Sequence, residues 1–222
     1  DVNDIFMQLT GLGKAGKLHH LWQSPFTLHA QILAAIRREA ENARAGKPAA
    51  ITAKMNALLE PEIISALYEA SMAGVQVDLI VRGVCALRPG IAGLSDNIRV
   101  RSVIGRFLEH HRVFHFSSAD TVLLSSADWM DRNFFRRIEV CFPVLDEKLK
   151  RRVIDESLKA YLADSGEAWE MDGEGHYRRK KSAHDKRAAA QAALLDKLSS
   201  GSGDPRDLPP RLPSSRTRRS PN

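Results

Sequence analysis

From Thr27 onward the chain alternates helical and extended patterns. Leu28, Ile32, Ile36, Ala40 and Ala43 recur at helical spacing, and Gly46 and Pro48 stop that helix. Ala49–Ala57 then alternates apolar Ile51, Ala53 and Met55 with polar Thr52, Lys54 and Asn56, which predicts a strand with one polar face. Pro61 opens a second helix, with Ile64, Leu67, Tyr68 and Met72 on one face and Gly74 as its end. Val75–Val81 is nearly all apolar, as a strand buried on both faces would be. Strand, helix, strand at this spacing implies a parallel crossover.

Beyond a loop over Arg82–Asp96 the pattern predicts shorter pieces. Ile98–Arg101 reads as a strand and Ile104–Glu109 as a helical turn. Arg112–Phe116 and Val122–Leu124 read as a hairpin, and Arg137–Val144 as a further strand. A helix is expected over Glu147–Leu162 with Leu149, Val153, Leu158 and either Tyr161 or Leu162 inward, and another over His184–Leu198. The sum is an α/β domain, a mixed β-sheet flanked by helices. Residues 1–26 read as the end of a preceding domain, 27–198 as the main domain and 199–222 as a disordered tail.

Composition sharpens this only in part. The chain has 222 residues, 43% of them hydrophobic, enough for a sizeable core. No apolar run approaches membrane-spanning length. Cys85 and Cys141 stand alone in apolar contexts, which predicts two reduced core thiols and a cytoplasmic setting. The formal net charge is +6, which suits an anionic partner and leaves association with an anionic membrane surface open. Part of that charge belongs to the Arg- and Pro-rich tail and to the cluster Arg178–Lys181. The segment Leu9–His20 is rich in Gly and Lys but lacks phosphate-loop spacing.

Candidate chemistry gathers in two stretches, Arg106–Phe116 (RFLEHHRVFHF) and Leu124–Asn133 (LSSADWMDRN). Strand alternation puts His110 and Arg112 on one face, and a histidine beside a fixed cation suits phosphoryl chemistry. Ser125 and Ser126 at a strand end could admit an anion to backbone N–H groups. Asp128 could orient a histidine or cap a turn, and Asn133 could bond an oxyanion. Arg82 ends the apolar strand, where ligands of open α/β sheets bind, and Arg137 opens a later strand. Lys54 and Asn56 end the polar face of Ala49–Ala57. This His-x-basic strand followed by a Ser- and Asn-bearing strand end is also the layout of the phospholipase D superfamily, with Arg112 where that family has Lys.

VDLIVRGVCALRPGIAGLSDNIRVRSVIGRFLEHHRVFHF (Val77–Phe116) and LLSSADWMDRNFFRRIEVCFPV (Leu123–Val144) closely resemble the C-terminal region of the long, multidomain bacterial polyphosphate kinases. LTGLGKAGKLHHLWQSPF and AKMNALLEPEIISALYEAS resemble that family too. The resemblance implies two phospholipase-D-like catalytic domains, of which this chain holds the end of the first and all of the second. It implies reversible transfer of the terminal phosphate of ATP to inorganic polyphosphate through a phosphohistidine, in a homo-oligomer and with Mg2+. The phosphorylated histidine and the magnesium ligands then lie upstream, so no metal ligand is expected here and the chain alone is expected to be inactive. The Arg of the family's VRG motif falls on Arg82 and the His of its FLEH motif on His110, the assisting residue. Arg137 becomes a phosphate clamp. His111 departs from the small or acidic residue expected there.

Two other function classes remain open at this level. One is a phospholipase-D-like phosphodiesterase. The other is a non-catalytic polyanion-binding module that uses the basic cluster and tail.

Overall fold

A computed structural model describes residues 1–11, 18–179 and 189–200. Its helices are α1 (Val2–Leu9), α2 (Leu28–Arg44), α3 (Pro61–Met72), α4 (Asp131–Phe135), α5 (Glu147–Val153), α6 (Ala160–Leu162) and α7 (Ala190–Ser199). A π-helical stretch, Ile154–Lys159, joins α5 to α6 in one continuous rod. The strands are β1 (Trp22–Ser24), β2 (Ala50–Met55), β3 (Gln76–Val81), β4 (Ile98–Val103), β5 (Arg112–Phe116), β6 (Thr121–Ser125), β7 (Glu139–Pro143), β8 (Ala168–Met171) and β9 (Tyr177–Arg179).

They form one sheet in the order β1-β7-β6-β5-β2-β3-β4-β8-β9. β2, β3 and β4 run parallel, and every other neighbouring pair is antiparallel. The expected mixed sheet is therefore what forms, with helices on both faces. Period-two alternation assigns each strand's residues to two cores. Leu79, Phe114 and Leu123 join α2 and α3 in the larger one. Their chain neighbours Ile80, Val113 and Val122 join Leu158, Tyr161 and Ala190 in the smaller one. No helix of the described residues is long and apolar enough to cross a membrane.

Helix ends follow local chemistry. The Glu60 carboxylate accepts from the Ile63 amide at 2.7 Å, and Pro61 occupies the first turn of α3. Asp146 accepts from the Leu149 amide at 2.8 Å to start α5.

Several expectations need correction. Ile104–Glu109 forms no helix and runs as an irregular loop. The buried face of α3 is Ile63, Ala66, Leu67, Ala70 and Ser71, and Met72 is exposed. Small Ala and Ser side chains let α3 lie close to α2, so bulk misled the periodicity. Leu149 is exposed, because the first turn of α5 is a polar, capped turn ahead of the buried stripe. On the polar face of β2, Lys54 is buried beneath the α5–α6 rod. Trp22–Ser24 pairs with β7 at the edge of the sheet. α7 begins at Ala190; the earlier part of the helix expected from His184 lies outside the described residues, as do Lys180, Lys181 and residues 201–222. Both cysteines are free, and burial pushes Cys85 up to about 11 and Cys141 up to about 12.

Candidate functional site at the C-terminal end of the parallel strands

β2 and β3 end side by side, with Met55 opposite Val81. β5 begins at the same end of the sheet, since Lys54 pairs with Val113. Arg82, Asn56 and the 104–111 loop therefore converge above the strand ends, where α/β sheets bind ligands.

Arg82 is half-buried there. Its Nε and Nη2 donate to Asn56 Oδ1 at 3.1 and 2.7 Å, and its Nη1 donates to the Glu109 carbonyl. A guanidinium has five N–H groups, so two remain for a ligand. No carboxylate among the described residues pairs with Arg82.

His110 is exposed and its ring is held from one side. Arg112 Nη2 lies 3.1 Å from His110 Nε2, and Arg112 Nη1 donates to the His110 carbonyl at 2.7 Å. Arginine only donates, so His110 Nε2 is the acceptor and the ring's proton sits on Nδ1. Arg112 in turn forks onto Asp128, with Nε–Oδ1 at 3.1 Å and Nη2–Oδ2 at 2.9 Å. Asp128 is buried and also accepts from the Asn56 and Ala57 amides at 2.7 and 3.2 Å. Asp128 caps the turn after β2 and holds Arg112 against His110. Arg112 spends four N–H bonds on protein, so it is a support rather than a free phosphate clamp.

Beneath the loop lies a network the sequence did not suggest. Glu109 accepts from Lys54, from the Tyr161 hydroxyl and from Gln191 Nε2, the last at 2.7 Å. Lys54 also sits over the Tyr161 ring. Burial pushes Lys54 down to about 8, against the pull of Glu109 and with help from Arg82. Burial works to raise Glu109, but hydrogen bonds from Lys54, Tyr161 and Gln191 hold its carboxyl below the usual range. Partial burial of the His111 ring beside Tyr161, with the Lys54 and Arg112 cations, pushes His111 down to about 4. His111 is therefore neutral near pH 7.

Other expected residues lie apart. Ser126 donates to Glu139 at 2.5 Å, and Asn133 Nδ2 donates to the same carboxylate at 2.7 Å. The Ser126 and Ala127 amides are bonded to Val140 and Ser125, so they form no anion cradle. Arg137 is exposed ahead of β7 and shares no hydrogen bond with His110; its carbonyl accepts from Ser24 Oγ at 2.7 Å. Among the described residues no group of three or more His, Cys, Asp or Glu side chains is placed to hold a metal ion. The nearby carboxylates of Glu109 and Asp128 are engaged by Lys54 and Arg112, so these residues do not fit magnesium.

Arg178 and Arg179 are also occupied. Arg178 pairs with Asp172 at 3.3 Å, and Arg179 donates to the Gly166 carbonyl.

The pattern of the family described as polyphosphate kinase C-terminal domain 2 matches residues 21–191. The polyphosphate kinase of Paraburkholderia phytofirmans is 62% identical over 202 residues, which is 90% of this chain and 29% of that protein. That of Burkholderia lata is 63% identical over the same shares. The crystal structure of polyphosphate kinase from Porphyromonas gingivalis superposes with a TM-score of 0.85 at 38% identity, covering 90% of this chain and 31% of that one. The chain thus spans less than a third of the length of the curated relatives it matches. With a family match over most of its length, this chain belongs to the polyphosphate kinase family, as a member of its second C-terminal domain.

Proposed function

We propose that this chain supplies one half of the active site of an ATP:polyphosphate phosphotransferase. The observation that carries the reading is Arg82. Among the described residues it is a cation with no carboxylate partner and two spare N–H groups, bonded to the backbone of the residue before His110.

In this reading Arg82 takes oxygens of the terminal phosphoryl group of ATP or polyphosphate. Arg137 adds a guanidinium from the same end of the sheet. His110, protonated on Nδ1, donates to a phosphoryl oxygen as charge develops on it. The nucleophile is a histidine of the preceding catalytic domain, to which the residues ahead of β1 belong. Its nitrogen bonds to the γ-phosphorus as the bond to the β–γ bridging oxygen breaks and ADP leaves. The terminal oxygen of polyphosphate then takes the phosphoryl group from that nitrogen. Magnesium is held by residues outside this chain. The complete protein works as a cytoplasmic homo-oligomer.

The complete protein is expected to make polyphosphate from ATP. Arg82→Ala should cost about 10- to 100-fold in kcat/KM for ATP, the loss of hydrogen bonds to a charged ligand. The isolated chain should bind ATP weakly and turn over nothing. Phosphodiester hydrolysis without ATP would favour the phospholipase-D-like reading. Polyanion binding that collapses with salt and ignores Arg82 and His110 would favour a binding module.

The Lys54–Glu109 pair predicts an alkaline limb. Glu109, Arg82, Tyr161 and His111 are the titratable or charged groups around Lys54. As pH rises through about 8, Lys54 loses its charge and Glu109 loses a partner, so kcat should fall. The titration of Lys54 does not lower stability there, so it would not cause that fall through unfolding. A folded pKa below the unfolded 10.5 means that the unfolded chain holds more protons between about 8 and 10.5. The contribution of this group to stability therefore rises across that window. Lys54→Arg should move the limb upward; a limb unmoved in that variant would remove Lys54 as its source.

A further inference from the structure

The loop that carries His110 lacks backbone support of its own. Among the described residues, no backbone-to-backbone hydrogen bond holds 104–111. Side chains hold it instead, most of them from distant elements. Arg82 takes the Glu109 carbonyl and Arg112 the His110 carbonyl. Lys54 and Tyr161 take the Glu109 side chain.

The middle of the loop is gripped by one residue, Gln191. Its Oε1 accepts from the Phe107 amide at 2.8 Å, and its Nε2 donates back to the Phe107 carbonyl at 2.9 Å. The same Nε2 donates to Glu109 Oε1 at 2.7 Å. A carboxamide is the side chain that can accept from the N–H and donate to the C=O of one residue at once. Gln191 is itself buried. It lies in the first turn of α7, whose start is fixed where the Ala190 amide donates to buried Asp164 at 2.7 Å. Gly105 makes room for the grip: a Cβ there would meet Gln191 Oε1 at 2.5 Å and Glu167 Oε2 at 2.2 Å.

We propose that Gln191, delivered by the C-terminal helix α7, is a positioning residue that sets the conformation of the 104–111 loop and so the place of His110. The proposal rests on the reading of His110 given above. α7 packs on the sheet through Ala190 and Leu194, so packing and grip can be separated. Gln191→Met keeps the bulk and the helix but removes all three hydrogen bonds. Leu194→Ala loosens α7 but keeps the carboxamide. Gly105→Ala dislodges the carboxamide from the other side.

The test compares these variants of the complete protein for polyphosphate synthesis, thermal unfolding and hydrogen exchange of the 104–111 backbone. Gln191→Met should lower kcat about tenfold or more, leave KM for ATP within threefold and leave Tm nearly unchanged. Exchange at Phe107 should quicken, and Gly105→Ala should follow the same course. Leu194→Ala should lower Tm yet keep kcat within threefold. Gln191→Met with kcat within twofold of the parent overturns the proposal, as does loss of kcat that tracks Tm across all three variants. If the parent protein makes no polyphosphate, the phosphotransferase reading fails by itself. Faster exchange at Phe107 in Gln191→Met then still supports the grip, and unchanged exchange removes it.

Discussion

His110→Ala in the complete protein is expected to lower the rate of polyphosphate synthesis by about 10²- to 10⁴-fold, the range for removing a positioned group that handles a proton or a developing charge. Folding should be little affected, because His110 is exposed. The loss should fall mainly on kcat, since Arg82 still binds phosphate without the ring. It should also be of similar size in the reverse direction, from polyphosphate and ADP to ATP, because both directions pass through one transition state. His110→Gln retains an N–H donor and should keep more activity than the alanine variant. Rates are compared by single-turnover transfer in both directions. A His110→Ala protein within threefold of the parent would remove His110 from the chemistry.

The frame of this site was readable before any coordinates. The α2 stripe and the alternation in β2 and β3 are strong periodic signals, and they place Arg82 at a strand end. His110 lies in the loop ahead of β5 and not on the strand, yet its Nε2 sits 3.1 Å from Arg112 Nη2. What alternation could not give was the identity of the group on the other side of Arg112. Asp128 is sixteen residues away in sequence and reaches the site only because β5 and β6 pair in register.

The supporting network was harder still. Lys54, Tyr161 and Gln191 meet Glu109 from three elements separated by 55, 52 and 82 residues. No local spacing records such a meeting. A polar position on an alternating strand does not show by itself what covers it, and Lys54 is buried by the rod above it. Strands β8 and β9 are three or four residues long and carry no apolar run. The turn between them holds Gly175 at φ +87°. Ser126 and Asn133 looked like ligand groups because their types suit oxyanions, yet both are drawn to Glu139.

Asp128→Ala tests whether the support under His110 is as tight as its geometry implies. The substitution leaves Arg112 buried without its partner and leaves the Asn56 and Ala57 amides without an acceptor. Breaking a buried ion pair on one side costs about 3–5 kcal/mol. The unfolding midpoint in urea should drop accordingly with little change in slope. Arg112→Met/Asp128→Ala replaces the charge pair by apolar groups and should regain much of that stability, because no charge is left stranded. It should not regain activity, since nothing then donates to His110 Nε2 or holds the His110 carbonyl. The two readouts should therefore separate: stability recovers in the double variant while kcat stays low. A loss below about 1 kcal/mol in Asp128→Ala would show that the pair is effectively solvated. Recovered activity in the double variant would show that His110 keeps its place without Arg112.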